Sequence, residues 1–221
     1  MTRIPTLALL SALLGCVPLH AASILIDFGA TTTTGLPQTW NNFTGTASGS
    51  TLTDLKDTTG ASTSYNLTYT GGTLLTLADN NTTSILPTTS SPFNVTSVII
   101  DSIYLATTGT FTLSGLNPAQ TYDLTFYAYV NRTGSRLSNY TVNGNTVSIQ
   151  PASTDLGGKG GTATLNGMTP TPTGNLVITI ESGAGTNWIL NGLQVTSVPE
   201  PASALLALLG TLAFLRRRRC P

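Results

Sequence analysis

The sequence predicts an all-β chain, a single β-sandwich domain of the jelly-roll kind between two terminal targeting segments. Three observations carry this. Tyr65-Asn66-Leu67-Thr68-Tyr69-Thr70 and Tyr122 to Val130 alternate with the period of two that marks a half-buried strand. Asn143-Gly144, between two β-rich stretches, is the preferred two-residue hairpin turn. Between the termini, Thr, Ser, Asn and Gly abound while Lys and Glu are nearly absent, so long surface helices are not expected and β-branched threonine favours strands.

In order, Ser23 to Gly29 reads as the first strand, followed by a Thr- and Pro-containing turn and Trp40-Asn41-Asn42-Phe43. Thr51 to Asp57 places Leu52 and Leu55 between polar neighbours. Leu74 to Asn94 contains Pro87 and Pro92 and reads as a long connection with a short helix or strand. Val98 to Leu105 is a mostly apolar run, as in a strand covered on both faces, and Gly109 to Leu113 is another strand. Tyr122, Leu124, Phe126, Ala128 and Val130 share one face of the clearest strand. Its lead, Leu116-Asn117-Pro118-Ala119-Gln120-Thr121-Tyr122, resembles the tyrosine corner of β-sandwiches. Tyr140 to Ile149 forms a hairpin; Gly161 to Leu165, Asn175 to Ile180 and Trp188 to Val195 complete the set.

Residues 1–22 read as a secretory signal peptide: Arg3, an apolar stretch from Leu7 to Val17, then small residues allowing cleavage after Ala21 or Ala22. A lipidation box at Leu13-Leu14-Gly15-Cys16 is the rival reading. At the other end, residues 198–221 begin Val198-Pro199-Glu200-Pro201. They continue as an apolar stretch over 202–215 and close with Arg216, Arg217, Arg218 and Arg219 before Cys220-Pro221. The fifteen residues from Pro201 to Leu215 give a helix of about 22 Å, short for a bilayer span. Flanking arginines stay cytoplasmic, which puts the body outside. These three features in this order resemble the PEP-CTERM sorting signal. The resemblance implies export through the Sec translocon and an inner-membrane intermediate. An exosortase-type enzyme then acts at the Pro-Glu-Pro region, with release to the cell surface or extracellular matrix.

The body, residues 23–197, holds four Lys and Arg against eight Asp and Glu, a net charge of −4. Scattered cations on an acidic body exclude nucleic acid as a partner. The only histidine is His20 and the only cysteines are Cys16 and Cys220, all in the terminal segments. That excludes Ser-His-Asp and Cys-His nucleophiles, His/Cys zinc sites and disulfides in the body. Carboxylate pairs remain, with Asp54 and Asp57 close in sequence, but each acid also suits a turn, and no enzyme is expected. No cofactor is expected either. A structural calcium ion held by Asp and backbone oxygens stays open, without an Asp-rich loop to locate it.

The Ile-Asp-Phe-Gly opening, the Trp-Asn-Asn stretch, the Leu-x-Pro-x-x-x-Tyr-Asp-Leu strand, the Tyr-x-Val-Asn-Gly hairpin and the closing Asn-Gly-Leu-x-Val resemble galactose-binding-like or malectin-like jelly rolls. The resemblance implies carbohydrate binding, with exopolysaccharide the expected ligand class. The residues suited to stack on or hydrogen-bond a sugar are Trp40, Asn41, Asn42, Tyr127, Tyr129 and Arg132, with Arg136 beside them. Tyr127 and Tyr129 lie opposite the core face of their strand, as a second buried layer or as a binding platform. Trp188 fits the core better. The competing expectation is a structural matrix protein with no small ligand.

Overall fold

The computed structural model describes residues 23–29, 36–77, 91–132, 136–151 and 160–198. Residues 1–22, read above as a signal peptide, the Pro199-Glu200-Pro201 triplet, the apolar segment and the arginine cluster all lie outside the described residues. Among the described residues no helix is long and apolar enough to cross a membrane.

The strands are β1 (Ser23–Phe28), β2 (Trp40–Phe43), β3 (Thr51–Leu52), β4 (Asn66–Gly71), β5 (Leu75–Leu77), β6 (Ser102–Leu105), β7 (Gly109–Ser114), β8 (Thr121–Ala128), β9 (Ser138–Val142), β10 (Asn145–Ile149), β11 (Gly161–Met168), β12 (Leu176–Ser182), β13 (Trp188–Leu190) and β14 (Gly192–Val198), with one short helix, α1 (Thr96–Ile100). Five strands form one sheet in the order β11-β8-β14-β1-β2, and six form a second in the order β10-β9-β12-β7-β4-β3. A small sheet, β13-β6-β5, stands beside them. β1 and β2 run parallel, whereas the other pairs are antiparallel.

The two large sheets form a sandwich because each strand turns one face inward. Ile24, Ile26 and Phe28 of β1 and Leu124 and Phe126 of β8 meet Phe111 and Leu113 of β7 and Ile178 and Ile180 of β12 in one core. Phe28 contacts Phe111 edge-on at 5.2 Å, and Phe126 stacks on Tyr140 at 4.5 Å. Aromatic pairs of this kind add roughly 0.5–1.5 kcal/mol beyond area burial.

The predicted local devices are present. The Asn117 N–H donates to the Tyr122 hydroxyl at 2.9 Å, closing the tyrosine corner. Asn143 and Gly144 join β9 to β10 with φ of 51° and 77°, the left-handed pair that a type I′ turn requires. Trp188 is buried, its Nε1–H donating to the Thr107 carbonyl at 2.7 Å.

Two expectations need correction. Val98 to Leu105 is not one strand: it is the end of α1, a break at Asp101 and then β6. A continuous apolar run has no period to separate a buried helix from a buried strand. Trp188 to Val195 is also split, because Asn191 carries the chain from β13 in the small sheet to β14 in the large one. The fully buried Asn191 amide makes that corner. It accepts the Tyr129 N–H at 2.7 Å and donates to the Asp101 carbonyl at 2.6 Å.

Candidate functional site

The predicted sugar-contacting aromatics come together, but not on the surface. Alternation along β1 sends Leu25 outward from the main core, and Trp40 pairs beside it in the parallel register. On this outer face Leu25, Trp40, Tyr127 and Tyr129 form a second cluster with Phe93, Val98 and Ile99. Phe93 stacks on Tyr127 at 5.3 Å and meets Trp40 edge-on at 6.1 Å. Gly192 lies below, and a Cβ there would come within 2.9 Å of the Phe93 ring. The segment from Phe93 through α1 therefore covers the face, leaving Trp40 7% exposed and both tyrosines at 0%. The platform reading of Tyr127 and Tyr129 is overturned: they belong to a second buried layer. Burial pushes both phenols up, for Tyr127 with a smaller push from Tyr129.

Asn41 points to the main core side of β2 and its amide binds backbone on both sides. Nδ2 donates to the carbonyls of Leu25 at 3.0 Å and Lys56 at 2.8 Å, and Oδ1 accepts the Lys56 N–H at 2.7 Å. It braces β1, β2 and the segment after β3, with both Nδ2 hydrogens spent on backbone carbonyls. Arg132 is exposed in the connection after β8. Asp57 serves a turn, its Oδ1 accepting the Thr59 N–H, the Thr59 hydroxyl and the Ala61 N–H. These bonds, the Thr59 hydroxyl foremost, hold its carboxyl below the usual range.

Asn42 is different. It pairs with Asp27 in the parallel register, so the two side chains stand side by side on the covered face. The polar side-chain atoms of both are sealed from solvent and make no well-formed hydrogen bond, the Phe28 N–H being committed to the Asn191 carbonyl at 2.9 Å. The Asp27 carboxyl is pushed up to about 8, first by burial and second by the Asp101 charge, with the Phe28 N–H opposing.

The open surfaces are of another kind. The outer face of the six-stranded sheet carries threonines in register across five adjacent strands: Thr146, Thr141, Thr179, Thr110 and Thr70. A second row runs Val177, Thr112, Thr68 and Thr51. All of these side chains are exposed or half-exposed. Hydroxyl pairs link Thr141 to Thr146 at 2.7 Å and Thr51 to Thr68 at 3.0 Å. Thr51 also lines a cleft of about 280 Å³ with Asn42, Phe43, Thr44 and Ser50. The sequence contains every one of these threonines, but their alignment is a matter of register between strands far apart in the chain. Among the described residues no group of three or more His, Cys, Asp or Glu converges.

No family model matches the chain, and no curated protein matches it. Solved structures with a similar backbone include the ANXUR1 extracellular domain from Arabidopsis thaliana, at 15% identity and a TM-score of 0.48, covering 80% of this chain and 49% of that one. The ANXUR2 extracellular domain from Arabidopsis thaliana overlaps at 15% identity and 0.49, covering 80% and 48%. The plant receptor-like kinase FER overlaps at 16% identity and 0.48, covering 82% and 43%. This chain spans about half the length of the structures it overlaps. The sandwich assignment rests on this chain's own sheets and core.

Proposed function

We propose that the body is a non-catalytic, exported surface module of jelly-roll type that engages neutral polysaccharide through the threonine face of its six-stranded sheet. The observation that carries this reading is the in-register row Thr146–Thr141–Thr179–Thr110–Thr70. Strands about 4.8 Å apart, with same-face residues about 6.8 Å apart along each, set out a regular lattice of hydroxyls and methyls. A glycan chain presents the matching chemistry, hydroxyls alternating with apolar C–H faces. Threonine has a single stiff χ1, so ordering it against a ligand costs little entropy. Sheet twist of roughly 20° per strand centres the usable patch on Thr141, Thr179 and Thr110.

The buried aromatics move the proposed contact away from Trp40, Tyr127 and Tyr129. Delivery is assigned to the terminal segments: Sec export, then exosortase-type cleavage beside Val198-Pro199-Glu200-Pro201. Intact-mass measurement of surface material should find a chain lacking everything beyond about Pro201. Arg216 to Arg219 still attached would overturn the sorting step and leave a plain membrane anchor.

The binding test is retention of the exported chain on insoluble neutral polysaccharides. The double substitution Thr110→Lys/Thr179→Lys should weaken retention at least tenfold, whereas Thr125→Lys on the other large sheet should not. Failure of the unaltered chain to bind any neutral glycan would overturn the reading, and self-assembly in the same preparation would favour a passive matrix role.

A further inference from the structure

We propose that the covered polar row at the Gly29 end of β1 is a calcium site built from the side chains of Asp27, Asn42 and Asp101. Three separate elements supply it. Asp27 lies on β1, on the outer face by alternation with Ile26 and Phe28, which enter the core. Asn42 stands beside it on β2 in register. Asp101 arrives from the α1–β6 junction. Its carboxyl fills the space that a side chain on Gly29 would occupy, with Cγ 2.1 Å and the two oxygens 2.3 and 2.5 Å from an added Cβ. Gly29 follows Asp27 by two residues, on the same face of the extended chain. The Asp101 backbone is pinned there through its carbonyl by the Asn191 amide.

The acids alone would not define a site. The independent observation is that the polar atoms of Asn42 are also sealed from solvent without a partner, as are both oxygens of the 0%-exposed Asp27. Burying a carboxylate or an amide unsatisfied is costly, and the charge acting on Asp27 is that of Asp101, of the same sign. A proton shared between the acids would neutralise one charge and leave the Asn42 amide unsatisfied. A divalent cation neutralises both charges and also takes the Asn42 carbonyl oxygen. The donors are all hard oxygens with neither His nor Cys, which suits calcium and not zinc or copper. Backbone carbonyls and water would complete six to eight ligands. A cation here ties β1 and β2 to the segment that covers Trp40, Tyr127 and Tyr129.

The test uses the full-length chain stripped with EDTA and titrated with calcium chloride, followed by thermal unfolding and terbium luminescence. Calcium at about a hundredfold excess over Kd should raise Tm by about 5–10 °C, with magnesium at least tenfold weaker. Asp27→Asn should weaken calcium binding at least tenfold. Asn42→Asp adds a third carboxylate and should tighten it, while in calcium-free buffer it should destabilise the chain. A Tm indifferent to calcium and EDTA overturns the proposal, as does an unchanged Kd in Asp27→Asn. If Asp27→Asn does not fold, Asn42→Asp decides alone: tighter binding supports the site, and unchanged or weaker binding overturns it.

Discussion

Replacing Asn191 with leucine isolates what its amide does. The side chain is fully buried, and it satisfies two backbone groups from separate segments, the Tyr129 N–H at 2.7 Å and the Asp101 carbonyl at 2.6 Å. Leucine keeps the same heavy-atom branching with bulkier methyl groups, so Asn191→Leu leaves no cavity but removes both partners. A buried backbone group that loses its partner costs about 1–3 kcal/mol, so the sum is about 2–6 kcal/mol. Against a total stability of roughly 5–15 kcal/mol, that is a large fraction. With a urea m-value of about 2 kcal/mol/M, the denaturation midpoint should fall by about 1–3 M at unchanged m. A midpoint for Asn191→Leu within about 0.3 M of the unaltered chain would refute the claim that this amide makes the corner between β13 and β14.

Tyr122→Phe removes the acceptor of the Asn117 N–H and should cost about 1–2 kcal/mol by urea denaturation. Gly144→Ala forces a side chain onto φ of 77° and should cost about 1 kcal/mol in the same assay, with the hairpin retained. In calcium-free buffer, stability should fall as pH rises from about 4 to about 8. Across that window the folded chain keeps the Asp27 proton that the unfolded chain has released, because the folded value is raised from 3.8 to about 8. One proton corresponds to a slope of at most about 1.4 kcal/mol per pH unit. Asp27→Asn should flatten the profile, and so should saturating calcium.

Much of the architecture is legible in local pattern. The alternation from Tyr122 to Val130 requires one face inward, and Tyr122, Leu124, Phe126 and Ala128 do line the core. Asn143-Gly144 specifies its own turn, and the Leu-x-Pro-x-x-x-Tyr lead specifies its own corner, since each device closes within a few residues. The apolar run at Val98 was not legible, because helix and buried strand both satisfy it. Nor was the function of the second face. Alternation places Tyr127 opposite Phe126, but whether water or Phe93 meets that ring depends on a segment distant in sequence.

By itself, then, the sequence determined an all-β chain, an acidic body without His or Cys, and the positions of its turns, because composition and nearest-neighbour geometry suffice for each. The tertiary structure alone decided three things. It buried Trp40, Tyr127 and Tyr129 beneath α1, it aligned threonines from five strands into one row, and it brought Asp101 over Gly29 beside Asp27. Each depends on strand register and on which segment covers which sheet. Those are long-range pairings, fixed by how the whole core packs and written in no single stretch of the chain.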